Sequence, residues 1–148
     1  MPRLKKNVSI RPMTLEDYPQ VLDLWNASPG MGLSAADSRE RIDTYLQRNP
    51  RMSLVAHTGP AIVGAVLCGH DGRRGFIHHL AVAESHRHRG IGKSLVDECL
   101  KELRASGIDK CHIFVYASNE EALAFWKHSG WTQRHELIIL SKDIPLGP

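Results

Sequence analysis

The sequence predicts a mixed α/β (α+β) fold with the element order β-α-α-β-β-β-α-β-α-β, and three observations predict it. Apolar runs of strand length alternate with stretches whose apolar residues recur every three or four positions. Gly59-Pro60, Asp71-Gly72, Gly107 and Gly130 punctuate the boundaries as turns and helix stops. The 148 residues are 42% hydrophobic and 24% charged, ordinary globular composition for one domain, which excludes disorder, collagen-like repeats and a coiled coil.

Val8 to Arg11 reads as the first strand, stopped by Pro12. Thr14 caps the first helix with Asp17 three residues on. Leu15, Tyr18, Val21, Leu22 and Trp25 then recur at helical spacing, and Pro19 fits only in the first turn. Ser28 to Ser34 is a Gly/Pro-punctuated loop, and a polar helix with Ile42, Tyr45 and Leu46 follows, ending before Pro50. Met52 to Ala56 and Ala61 to Cys68 read as two strands, the second apolar on both faces and therefore central in a sheet. Asp71-Gly72 turns the chain into the strand Phe76 to Ala83. Gly90 to Ala105 is the clearest helix, its stripe built by Ile91, Leu95, Val96, Cys99, Leu100 and Leu103, with Gly107 as its left-handed stop. Cys111 to Ala117 is the next strand. Asn119 caps a helix with Glu120 and Glu121 in its first turn, ending at Gly130, and Leu137 to Leu140 is the final strand. One domain spans 1–148, with a structured core over about 7–144.

The net charge of +3 is too mild for a nucleic-acid binder, and the basic residues do not interleave with aromatic ones as stacking platforms require. The basic start, Met1 to Lys6, is followed by no apolar segment, and no run approaches the ~18 apolar residues of a membrane span. Three cysteines, an odd number without CxxC spacing, read as reduced core residues. The expectation is a cytoplasmic protein with no membrane or nucleic-acid partner.

Chemistry concentrates in Leu80 to Ser94, where a strand passes through a polar turn into a helix. A helix start offers unpaired N–H groups and positive potential, and Gly90 and Gly92 let an anion approach the backbone. Arg87, Arg89 and Lys93 add positive charge there, so the segment reads as a phosphate or diphosphate site. Gly92-Lys93-Ser94 fits the end of a Walker A loop, but Arg87 stands at its first glycine; Leu95 replaces the third glycine of a dinucleotide fingerprint. The remaining pattern is [RQ]-x-x-G-x-[GA], matched by Arg87, Gly90 and Gly92.

With Leu80-Ala81-Val82 before the loop, the Asn119 to Trp131 block NEEALAFWKHSGW after it, and the element order, nearly the whole chain resembles the GNAT-family N-acetyltransferases. That resemblance implies a central mixed, mostly antiparallel sheet flanked by helices, with acetyl-CoA as cosubstrate. Arg87, His88, Arg89, Gly90, Ile91, Gly92, Lys93 and Ser94 would then cradle the pyrophosphate. Leu80, Ala81 and Val82 would border the pantetheine arm, Leu80 and Val82 through their backbones, and the Val82 N–H would polarise the thioester carbonyl. Asn119 would hydrogen-bond the pantetheine, with Ala122, Phe125 and Trp126 beside it. The implied reaction is direct attack of a primary amine on the thioester. Trp126 stands where many members carry a tyrosine that protonates the leaving thiolate, and an indole N–H cannot do so.

The base is open between His78, which two-residue alternation sets on the face of Leu80 and Val82, and Glu84 just before the loop; His79 is assigned the other face. His78, His79, His86 and His88 lack metal-ligand spacing, so no metal is expected. Trp25, Met31, Leu33 and Tyr45 are the candidate acceptor-lining residues, each with core packing as its alternative. The acceptor is a small amine, an amino acid or a protein N-terminus, and family analogy adds a homodimer as a candidate assembly. Alternatives to the enzyme are a non-catalytic acyl-CoA-binding module and a P-loop-like nucleotide binder.

Overall fold

The apolar runs pair into one six-stranded sheet of order β1-β2-β3-β4-β5-β6. The computed structural model describes residues 3–4 and 7–147; Met1, Pro2, Lys5, Lys6 and Pro148, and with them most of the basic start, lie outside the described residues. The strands are β1 (Arg3–Leu4), β2 (Val8–Pro12), β3 (Leu54–Thr58), β4 (Ala61–His70), β5 (Gly75–Val82) and β6 (Cys111–Ile113). Each neighbouring pair is antiparallel except β5 and β6, which run parallel. The helices are α1 (Tyr18–Asn26), α2 (Arg39–Arg48), α3 (Ile91–Ala105) and α4 (Glu120–His128). The mixed, mostly antiparallel sheet with helices is the predicted class.

The chain divides into two units, Met1–Tyr116 and Ala117–Pro148. In the first, one sheet face packs Val55, Ala65, Leu67 and Ala81 against Val21, Leu24 and Trp25 of α1 and Ile42 of α2. The other face receives α3, whose stripe Ile91, Leu95, Val96, Cys99 and Leu103 is buried as its spacing predicts. Gly64 and Gly75 permit that contact: a Cβ on Gly75 would come within 2.6 Å of Leu103, and one on Gly64 within 3.1 Å of Leu95. Asp17 pins the start of α1 to β2, accepting 2.7 and 2.8 Å hydrogen bonds from Arg11 and another, 2.8 Å, from the Thr14 N–H. Burial pushes the Asp17 carboxyl up, but these donors hold it below its ordinary range. Pro19 sits in the first turn of α1, as expected.

In the second unit Asn119 Oδ1 accepts from the Ala122 N–H at 3.1 Å and caps α4, which ends before the left-handed Gly130. Trp126 packs edge-on against Phe125 and Trp131, with ring centroids 5.2 and 4.9 Å away.

Two expected strands differ. The strand expected over Cys111 to Ala117 stops at Ile113, because its pairing with β5 ends at Ile77↔Ile113. Leu137 to Leu140 forms no strand: the segment has no ladder partner among the described residues, and Ile138 and Leu140 are 86% and 88% exposed. A short β1 precedes the first expected strand.

Candidate functional site

β5 is paired on both sides only over its first three residues. Gly75, Phe76 and Ile77 lie between β4 and β6, whereas His78 to Val82 keep β4 alone among the described residues. The Ala83 N–H donates to the Val63 carbonyl at 2.8 Å, so alternation along the strand turns the Val82 and Leu80 N–H groups the opposite way, to the open edge. Arg87 leans back over that edge, its Nε donating to the Val82 carbonyl at 3.0 Å.

The edge runs directly into an anion-receptive helix start. A turn over Glu84–His86 leads to α3, whose N-cap is Gly90 at φ +80°. The first ladder bond is Ser94 N–H to Gly90 carbonyl, 3.0 Å, so the N–H groups of Ile91, Gly92 and Lys93 precede the ladder. No side chain caps them among the described residues, and a Cβ built on Gly90 meets nothing within 4 Å. The backbone approach foreseen at Gly90 is therefore open, while its left-handed φ makes any other residue strained. Lys93 is shared with Asp97 at 2.8 Å, and His88, Arg89 and Glu84 are exposed around the turn. Strand edge and helix start fit an extended ligand with an anionic end, which is the shape of the CoA pantetheine and pyrophosphate.

His78 does not share a face with Leu80 and Val82. β4 and β5 change register: Ala65 faces Ala81 and Leu67 faces His78, so His79 and Leu80 together face Val66. This β-bulge reverses the alternation within β5. Ala65, Leu67 and Ala81 belong to the α1/α2 face, which places His78 there, whereas Val82 pairs with Gly64 on the α3 face. His79, expected on the face away from His78, lies on the same side. Its Nε2 meets Asp37 Oδ1 at 2.9 Å, and its ring meets Trp25 at 5.1 Å.

His78 stands among aromatic rings: Phe76 (6.4 Å between centroids), Phe114 (6.0 Å) and Tyr45 (6.4 Å). Burial, then the adjacent His79, holds its pKa below the ordinary histidine value, with Asp37 opposing. The imidazole is therefore neutral at neutral pH and its lone pair is free to accept a proton.

Of the acceptor candidates, Trp25 is removed by its position. It is 0% exposed, a core residue whose indole N–H donates to the His79 carbonyl at 3.0 Å. Met31, Leu33 and Tyr45 are half-buried and pack on the rim of that core. The residues missed in the sequence are Phe76, Phe114, Tyr116 and Asp37. Phe114 and Tyr116 are 56% and 61% exposed, and the Ser28 to Ser34 loop closes on Tyr116, whose hydroxyl would lie 2.7 Å from a Cβ on Gly32. The alternation of His112, Phe114 and Tyr116 was the available signal. No group of three or more His, Cys, Asp or Glu side chains able to hold a metal occurs among the described residues.

The family model described as acetyltransferase (GNAT) family matches residues 18–131. An acetyltransferase of Photorhabdus laumondii is 30% identical over 142 residues, covering 93% of this chain and 96% of the relative. An aminoglycoside acetyltransferase from an uncultured soil metagenomic sample, solved with sisomicin, is similar in fold with TM-score 0.76 at 20% identity, over 94% of this chain and 97% of that one. The PaiA N-acetyltransferase of Thermoplasma acidophilum, solved with coenzyme A, gives TM-score 0.73 at 19% identity, over 84% and 89%.

Proposed function

The chain belongs to the GNAT acetyltransferase family, and from that premise we propose that it is an N-acetyltransferase taking its acetyl group from acetyl-CoA. The observation that carries this reading is the continuity of two sites: five β5 residues without an outer strand partner among the described residues, followed across one turn by a helix start with three N–H groups ahead of its ladder. The pantetheine amides match the first and the pyrophosphate the second. Chain 1–148 acts in this reading as one acetyltransferase domain, in the cytoplasm. No helix among the described residues is long and apolar enough to cross a membrane.

When bound, acetyl-CoA supplies an activated acetyl thioester. Arg87 to Ser94 hold its pyrophosphate, and Leu80 and Val82 hold its pantetheine through their backbones, with Ala81 between them. The resemblance assigns Asn119, Ala122, Phe125 and Trp126 to the cosubstrate as well; the Asn119 Nδ2 is the donor left over once Oδ1 caps α4. The Val82 N–H polarises the thioester carbonyl. A primary amine then attacks the carbonyl carbon as a neutral nucleophile, the C–N bond forms, the C–S bond breaks and CoA leaves as thiolate.

His78 takes the amine proton, directly or through water, because burial keeps it unprotonated. Glu84, exposed in the turn after β5, is the second candidate. The leaving thiolate, with an intrinsic pKa near 8.5, takes its proton from water or another group or leaves without such help, since Trp126 has none to give. The acceptor, a small amine, an amino acid or a peptide N-terminus, enters beside Met31, Leu33, Tyr45 and Phe114.

Calorimetric titration with acetyl-CoA, CoA and ATP, followed by a primary-amine panel, tests the reading. We expect acetyl-CoA to bind without Mg²⁺, Gly90→Glu to abolish binding, and an amine to be acetylated. Binding without turnover on the whole panel would favour a non-catalytic acyl-CoA-binding module, which the tryptophan at 126 makes the second reading. Mg²⁺-dependent ATP binding in place of acetyl-CoA would overturn both.

A further inference from the structure

We propose that His79 is a positioning residue: held in left-handed backbone by Trp25 and Asp37, it maintains the β5 bulge that turns the Leu80 and Val82 N–H groups to the open edge. This inference rests on the acetyl-CoA reading above.

The register carries the argument. Below the bulge Leu67 faces His78, and above it Ala65 faces Ala81. If the lower register continued without the extra residue, Val82 would lie opposite Val63, the place Ala83 now takes. Its N–H would then donate into β4, as the Ala83 N–H does at 2.8 Å, and Leu80 would turn to the α1/α2 face. One inserted residue therefore decides whether the two N–H groups are spent inside the sheet or offered outside it.

That residue is held in a conformation it would not choose. His79 has φ +54°, a left-handed bulge position that glycine ordinarily fills. Two hydrogen bonds restrain it from the core side. The indole N–H of fully buried Trp25 donates to the His79 carbonyl at 3.0 Å, fixing the backbone itself. Asp37, 8% exposed, meets His79 Nε2 at 2.9 Å through Oδ1, while its Oδ2 accepts from the Ser34 N–H at 3.0 Å. The carboxylate is thus fixed on the chain leaving the Ser28 to Ser34 loop, and it ties that loop to the bulge.

Glycine distinguishes this role from a packing role. His79→Ala loses the Asp37 restraint, keeps the Trp25 bond to the backbone carbonyl and keeps the backbone penalty, whereas His79→Gly loses the same restraint and removes the penalty. Calorimetry with the full-length protein would compare acetyl-CoA with adenosine 3′-phosphate 5′-diphosphate, which lacks the pantetheine arm. His79→Ala should bind acetyl-CoA roughly tenfold more weakly, the equivalent of one left-handed non-glycine residue. His79→Gly should recover most of that loss, and both variants should bind the fragment as the parent does. Trp25→Phe, which keeps a ring and removes the N–H, should show the same selective weakening. Equal acetyl-CoA affinity in His79→Ala and His79→Gly, or a parallel loss of fragment binding, would overturn the inference. A parent protein that binds neither probe would overturn the acetyl-CoA reading, and this inference with it.

Discussion

The two halves of β5 are adjacent in sequence and opposite in circumstance. Gly75 to Ile77 is a central strand, paired on both edges, with Ile77 2% exposed and Gly75 closed against Leu103. His78 to Val82 keeps one neighbour among the described residues, carries a bulge and presents its outer edge. The first half is specified by packing, which tolerates little change in volume. The second is specified by hydrogen-bond direction, which tolerates changes of side chain but not of register. Stability and ligand recognition are thereby separated within one strand.

Substitutions in each half can break this comparison. Ile77→Ala should cost about 2–5 kcal/mol in urea unfolding, because a fully packed side chain leaves a cavity. Leu80→Ala should change unfolding far less. If the two costs are alike, the division fails. Val82→Pro removes an N–H that faces away from β4, so circular dichroism should report an intact fold while turnover falls roughly 10²–10³-fold, the usual cost of one oxyanion donor. Ala81→Pro, one residue earlier, removes a donor to β4 and should lose the fold.

Gly75→Val should cost roughly 1–3 kcal/mol by overpacking against Leu103. The smallest effect is pH-dependent. Burial lowers the folded-state pKa of His78 below its ordinary 6.5, so the unfolded chain binds the proton more readily. Stability should therefore decline as pH falls from about 6.5 and level off below the lowered value, and His78→Gln should lack that part of the slope. A slope identical in both proteins would show that His78 is not a buried neutral imidazole.

Much of this was legible beforehand. The α3 stripe, Gly90 as helix start and Gly107 as stop, the Asp71-Gly72 turn and the Asn119 cap each follow from local chemistry that distant residues do not alter. The bulge was not legible. It depends on Trp25 and Asp37, which are remote in sequence from His79, and without it alternation puts His78 on the face of Val82 and parts it from His79. Trp25 was ambiguous for the same reason, since helical spacing marks a buried face but not whether an aromatic on it reaches a ligand. The Leu137 to Leu140 run has strand composition, and composition does not supply a partner edge.

The order in which the sheet closes has a consequence for synthesis. β3, β4 and β5 are joined by short turns and can pair as soon as they emerge, whereas β6 follows only after the whole of α3. Until then the outer edge of Gly75 to Ile77 is as bare as the edge beyond it. A nascent chain from which α3 but not yet β6 has emerged therefore offers the full outer edge of β5 to any neighbouring polypeptide, and the time until Cys111 to Ile113 follow governs how long that hazard lasts.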